Sequence, residues 1–105
     1  MGQFSIHRNC NKASAARYPF LLDVQAPLLD RLDTRLVIPL TPLQSFDGKA
    51  MSVLSPVFDI DGCAYVLLTP QMAGIARKEL GATIADLSDR RDLIIAAIDL
   101  LVTGC

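Results

Sequence analysis

His7 is the single histidine of the chain. A histidine with no cysteine or acidic cluster beside it lacks the partner that would make it a general base or a metal ligand. Its place in the alternating stretch QFSIH (3–7) predicts a surface residue on a strand with one buried face. Asp59-Ile60-Asp61-Gly62 brings two carboxylates close together, but a calcium loop needs a third acidic ligand and a later glutamate. The pair reads instead as a hairpin turn. Ser52 and Ser55 lie in no Gly-x-Ser-x-Gly context and have no second histidine in the chain, so a hydrolase triad is not supported. Arg77-Lys78 and Arg90-Arg91 are short basic pairs of the kind that coat a solvated surface. Cys10, Cys63 and Cys105 are odd in number, widely spaced and without a CxxC, which argues against both a zinc site and a disulfide framework and for the reducing cytosol. No catalytic set, metal site or cofactor site is expected.

The totals point the same way. The chain has 105 residues, enough for a single domain spanning 1–105 with one core. Its hydrophobic share is 51% against 20% charged, an apolar supply large enough for some of it to be buried between subunits. The net charge of −1 lacks the basic excess that drives nucleic-acid binding. The first ten residues carry no apolar stretch of the signal-peptide kind. The longest apolar run, 93–98, falls far short of the ~20 residues that a membrane span needs.

The elements that position these residues follow from local pattern. QFSIH (3–7) predicts a first strand, 8–17 a mobile polar loop, and YPFLLDVQ (18–25) a second strand. APLLDRLDT (26–34) is a turn-rich loop that leaves Leu28 and Leu29 exposed or half-exposed. RLVIPLTP (35–42) is a nearly continuous apolar run. Pro39 within it predicts an edge strand or a bulge, because proline donates nothing to a ladder. Asp47-Gly48 marks a turn. Asp61-Gly62, between PVFDI (56–60) and CAYVLLTPQM (63–72), is a strong hairpin signal. The stretch 72–88 reads as a short strand or a single turn. The expected architecture is five or more strands, as an antiparallel barrel or sheet, with one terminal helix packed on it.

That helix opens at Ser88 as N-cap, with Asp89 and Asp92 in its first turn, where the dipole favours anions. Ile94, Ala97, Ile98 and Leu101 form a stripe that should face the core. Asp92, Ala96, Asp99 and Thr103 form a second, small and polar stripe for water or a partner. The helix runs into the closing residues DLLVTGC (99–105).

In order and spacing, QFSIH, YPFLLDVQAPLLD (18–30), RLVIPL (35–40), LLTPQMA (67–73) and IADLSDRRDLIIAAIDLL (84–101) resemble the CcdB family of bacterial toxins over nearly the whole chain. The resemblance implies a β-rich α+β fold: an SH3-like antiparallel β-barrel with a small extra sheet and a long C-terminal α-helix. It implies a cytoplasmic homodimer that is not an enzyme. Such a protein binds the A subunit of DNA gyrase and traps the complex in which the DNA is cut. A CcdA-type antitoxin neutralises it, and the pair represses its own operon, with operator DNA reached only indirectly through the antitoxin. Family positions for gyrase contact fall on Leu28 and Leu29 in the loop and on Asp99, Thr103, Gly104 and Cys105 at the helix end, and Ala96, which shares the free helix stripe with Asp99 and Thr103, joins them as an expected contact. The family pattern has Trp-Gly-Ile where this chain has Thr103-Gly104-Cys105, so only Gly104 is kept. Two other readings are a non-toxic CcdB-like protein that only binds antitoxin, and an endoribonuclease of the MazF kind. The second would need a positioned acid/base set and a basic groove.

Overall fold

The computed structural model describes residues 2–46 and 52–104. Asp47-Gly48 and Cys105 therefore lie outside the described residues. Seven strands form one antiparallel sheet: β1 (Ser5–Asn9), β2 (Phe20–Asp23), β3 (Thr34–Pro42), β4 (Val57–Ile60), β5 (Cys63–Leu67), β6 (Ala73–Ala76) and β7 (Leu80–Asp86). They run in the order β4-β5-β3-β2-β1-β7, and β6 pairs with β3 beside that path. The sheet thus forks at β3, whose first half pairs with β6 and whose end pairs with β5. It curls into a half-barrel, and the helix α1 (Arg91–Thr103) follows it, in accord with an SH3-like barrel plus helix.

Both faces of the middle strands are buried. One face presents Ile6, Leu22, Ile38 and Leu40, packed with Phe58, Ile60, Leu67, Leu87 and, from α1, Ile94. The register places His7, Leu21 and Pro39 in one row of the other face, with Asp23, Val37 and Ala73 in the next. This second face explains a correction. His7 is not a surface residue but is 2% exposed. Its Nε2 lies 2.8 Å from Ser5 Oγ and its Nδ1 3.1 Å from the Gly81 carbonyl, so a polar face of β1 is buried and satisfied against β7.

Pro39 corrects a second expectation, since β3 is neither an edge strand nor bulged there. Leu68 N–H donates to the Pro39 carbonyl at 2.9 Å, so the Pro39 nitrogen faces the same side. That side is the fork itself, between the last rung of β6 at Val37 and the first of β5 at Leu40. One missing donor is harmless where two ladders part.

The Asp61-Gly62 hairpin is as expected. Ile60 pairs with Cys63, and φ is +52° at Asp61 and +83° at Gly62, the left-handed pair that a two-residue turn of the primed type requires. The 72–88 stretch is richer than a short strand or single turn. It holds β6, a 3-10 turn (Arg77–Glu79) and the seven-residue β7. The 8–17 loop gives its first two residues to β1, and Asn9 Nδ2 bonds Ser14 Oγ and the Tyr18 carbonyl across the remainder. Ser88 is not the helix N-cap. It begins a 3-10 turn (Ser88–Arg90) that leads into α1, whose own N-cap is Arg90, and the Ser88 N–H donates to Asp86 Oδ1 at 2.7 Å. Of the core stripe, Ile94 and Ala97 are fully buried and Ile98 is half-buried, while Leu101 is exposed.

Two polar knots hold this frame. Arg35, fully buried, gives Nε and Nη2 to Asp23 Oδ2 at 3.0 and 2.6 Å, and Nη1 to Asp30 Oδ1 at 2.9 Å. Burial alone would lower the Arg35 pKa, but the bonds to Asp30 and Asp23 outweigh it and raise it. The second knot is Phe4, a bulky residue at φ +70°. Its N–H donates to the Asp23 carbonyl and its carbonyl accepts from Leu87 N–H, so one residue ties β2 to the start of the helical segment. A left-handed backbone in a residue of this type is uncommon and strained. The buried ring and the Arg91 guanidinium 5.6 Å from its centroid hold it there.

Removing one partner of the Arg35–Asp23 pair strands a buried charge, so Arg35→Met should cost about 3–5 kcal/mol in urea unfolding. Milder loss with Asp23→Asn than with Asp23→Leu would fit the bonds that an amide oxygen can still accept. Asp86 gives a pH signature. The Ser88 side chain and backbone bonds hold its carboxyl below the ordinary aspartate range. A group depressed in the folded state stabilises above its unfolded pKa and loses that contribution as pH falls through the folded value. Melting curves below pH 4 should therefore steepen their fall, and Asp86→Ala should remove that component.

Candidate interaction surface

The 26–34 loop is built to display leucine. A 3-10 turn covers Pro27–Leu29, with Leu29 N–H donating to the Ala26 carbonyl and Asp30 N–H to the Pro27 carbonyl. Proline at the start of the turn supplies a preset φ. Leu28 is 96% exposed, while Leu29 and Leu32 are half-exposed. Side chains this apolar gain nothing from folding in that position, yet the backbone beneath them is pinned on every side.

Four groups do the pinning. Gln25 Nε2 donates to the Leu29 carbonyl at 2.6 Å while its Oε1 accepts from Leu36 N–H at 2.9 Å. Asp23 Oδ1 accepts from Gln25 N–H at 3.0 Å. Arg35 holds the Asp30 carboxylate from inside the protein. From outside, Arg77 Nη2 donates to the Asp30 carbonyl and, at 2.7 Å, to the Leu32 carbonyl. Arg77 is therefore not a mere surface cation; it clamps this loop. A leucine on a clamped loop loses little conformational freedom when it meets a partner, which is the main saving of a preorganised contact.

The other expected residues stand at the end of α1. Ala96 is half-buried, and Asp99, Thr103 and Gly104 are exposed, so this stripe does face solvent. Thr103 Oγ1 donates back to the Asp99 carbonyl at 2.7 Å. Gly104, at φ +76°, sends its N–H to the Leu100 carbonyl and closes the helix in the left-handed form that glycine alone takes freely. The last turn carries no basic residue. Asp99 thus adds its charge to the negative end of the helix dipole rather than offsetting it. Such an end costs stability and suits a cationic group from elsewhere.

Loop and helix end are held by different partners: the loop by Asp23, Gln25, Arg35 and Arg77, the helix by the core and the 3-10 turn Thr69–Gln71. Two exposed apolar residues were missed from sequence. Leu32 completes a Leu-Leu-x-x-Leu spacing in the loop, a pattern that the residues did offer. Val102, 69% exposed, stands beside Thr103 at the helix end, where the helical wheel alone would have shown it outside the core stripe.

Both stretches lie within a wider likeness. A family model described as the CcdB protein matches residues 3–104. The chain belongs to the CcdB family. It is accordingly a toxin of the toxin–antitoxin kind, from a family of gyrase poisons rather than of enzymes. No helix among the described residues is long and apolar enough to cross a membrane, and no group of three or more potential metal ligands occurs among them.

The helix end can be tested apart from function. Asp99→Asn should stabilise the protein by about 0.3–1 kcal/mol, read as a rise in thermal midpoint at low salt that fades at high salt. An unchanged or lower midpoint would show that Asp99 is compensated. Leu28→Ser should stay within about 0.5 kcal/mol of the parent in urea unfolding, because the side chain it removes is already in water.

Proposed function

We propose that this CcdB family member binds the A subunit of DNA gyrase and holds the enzyme on cleaved DNA. The observation that carries the reading is Leu28, almost wholly exposed on a loop clamped by Arg35, Gln25 and Arg77. A monomer has no use for such a residue in that setting, and an apolar anchor presented rigidly is what a partner's pocket needs. Leu29 and Leu32 extend the apolar contact.

The helix end supplies the second half of the proposed contact. Ala96, Asp99, Thr103 and Gly104, with Cys105 at the end of the chain, would meet a cationic side chain on gyrase. Thr103 stands where the family pattern has a tryptophan, a typical interface anchor. The exposed Val102 and Leu101 beside it restore part of the lost apolar area. A net loss of about 1–3 kcal/mol, roughly ten- to a hundredfold in affinity, would still leave binding in place. In this reading the protein works as a cytosolic homodimer, needs no cofactor, and is neutralised by a CcdA-type antitoxin through which it reaches operator DNA.

The test is a cleavage assay with purified gyrase and supercoiled plasmid. The parent protein should yield linear DNA on denaturation, and Leu28→Asp should lose that effect while melting within a few degrees of the parent. Linear DNA at the parental level from Leu28→Asp sinks the loop contact. Absence of linear DNA from the parent, together with tight binding of a cognate antitoxin segment, would favour a non-toxic antitoxin binder. RNA cleavage in the absence of gyrase would favour an endoribonuclease.

A further inference from the structure

On the sheet face opposite α1 lies a half-open cavity of about 180 Å³. Its floor is Leu21, Val37, Ala73 and Ile75, and Asn11 and Glu79 stand on its rim. Glu79 is the only formally charged residue of the lining. Asn11 Nδ2 donates to Glu79 Oε1 at 2.7 Å, which fixes the carboxylate and leaves Oε2 for a cation.

Beside this cavity runs β6, which pairs only with β3 among the described strands. The register settles which of its backbone groups are unused. Arg77 N–H donates to the Asp33 carbonyl, so Ile75 and Ala73 face β3 in turn, and the N–H and C=O groups of Gly74 and Ala76 point outward. The side chains of Ala73 and Ile75 meanwhile line the cavity. Ala73 is small and exposed, so a side chain from a neighbouring strand can lean across it.

We propose that the β6 edge and this cavity form a docking site for an extended peptide segment carrying an aliphatic residue with a lysine or arginine two positions away. Backbone pairing to Gly74 and Ala76 would extend the sheet by one strand. Period-two alternation then puts the aliphatic residue over the cavity and its basic neighbour, on the same face, within reach of Glu79. The single carboxylate on an otherwise neutral rim is the argument for a basic occupant, and the open backbone groups are the argument for an extended one. None of these residues belongs to the proposed gyrase contact.

The probe is the synthetic peptide acetyl-Thr-Lys-Thr-Leu-Thr-Lys-Thr-amide, whose lysines flank the leucine so that either strand direction is served. Titrated into the isotopically labelled full chain, it should shift the amide signals of Val37, 73–76, Asn11 and Glu79. Ala73→Met, which fills the cavity from an exposed position, should weaken binding about tenfold or more. Glu79→Gln, which keeps the Asn11 bond, should weaken it about two- to fivefold and remove its salt dependence. Methylating the two threonine amides beside the leucine should abolish binding. No shift at these residues at millimolar peptide, or binding indifferent to both variants, overturns the proposal. Binding that survives amide methylation overturns the strand addition.

Discussion

Arg35 has no contact with water, and the carboxylate of Asp23 that it holds has none either. Asp23 does more than balance that charge. Its carbonyl accepts from Phe4, one carboxylate oxygen accepts from Gln25, and the other takes two bonds from Arg35. The start of β1, the end of β2, the start of β3 and the loop between β2 and β3 are thus fixed by one residue, through its backbone and its carboxylate, and by its partner Arg35. A buried ion pair is seldom a net source of stability against an apolar equivalent. Its use here is geometric, because Arg35 reaches on to Asp30 and sets where the exposed leucines stand.

From that knot the two faces of the sheet acquire different work. The face toward α1 is an apolar core of ordinary kind, with Ile94 and Leu87 closing over Ile6, Leu22 and Ile38. The opposite face mixes His7, Asp23 and Arg35 with Leu21 and Val37, all of them buried. Polar groups survive there only because each has a partner. The fork at β3 lets one strand serve both β5 and β6, and it leaves Pro39 where a missing donor is cheap. Outside this frame lie the leucine loop at the end of β2, the helix end beyond the last buried turn, and the β6 edge.

Much of this was legible in the residues. The order of the main strands, the Asp61-Gly62 hairpin, the terminal helix and the exposure of Leu28, Leu29, Asp99 and Thr103 all follow from local pattern. What escaped depends on partners distant in sequence. His7 alternates as an outward residue should, and only the pairing of β1 with both β2 and β7 puts it inside. Pro39 signals an edge unless one knows that two strands end opposite it. Ser88 looks like a cap, but its N–H is taken by Asp86 and a 3-10 turn stands between it and the helix, which begins only after Arg90. Arg77 reads as a surface cation because the carbonyls it holds are over forty residues away. Leu32, spaced with Leu28 and Leu29, and Val102, outside the core stripe of the helix, were visible in the residues in principle.

Phe4 and Leu87 meet through one backbone bond, and β1 meets β7 along its length. The first strand thus waits for the last of the seven before its outer side is paired. During synthesis on a ribosome, β1 can find β2 early, yet the sheet stays open until residues beyond 87 have emerged, and only then can the helix seat Ile94 on it. Long-range closure of this kind is slow relative to local folding. A partly made copy therefore holds neither a seated helix end nor a closed sheet.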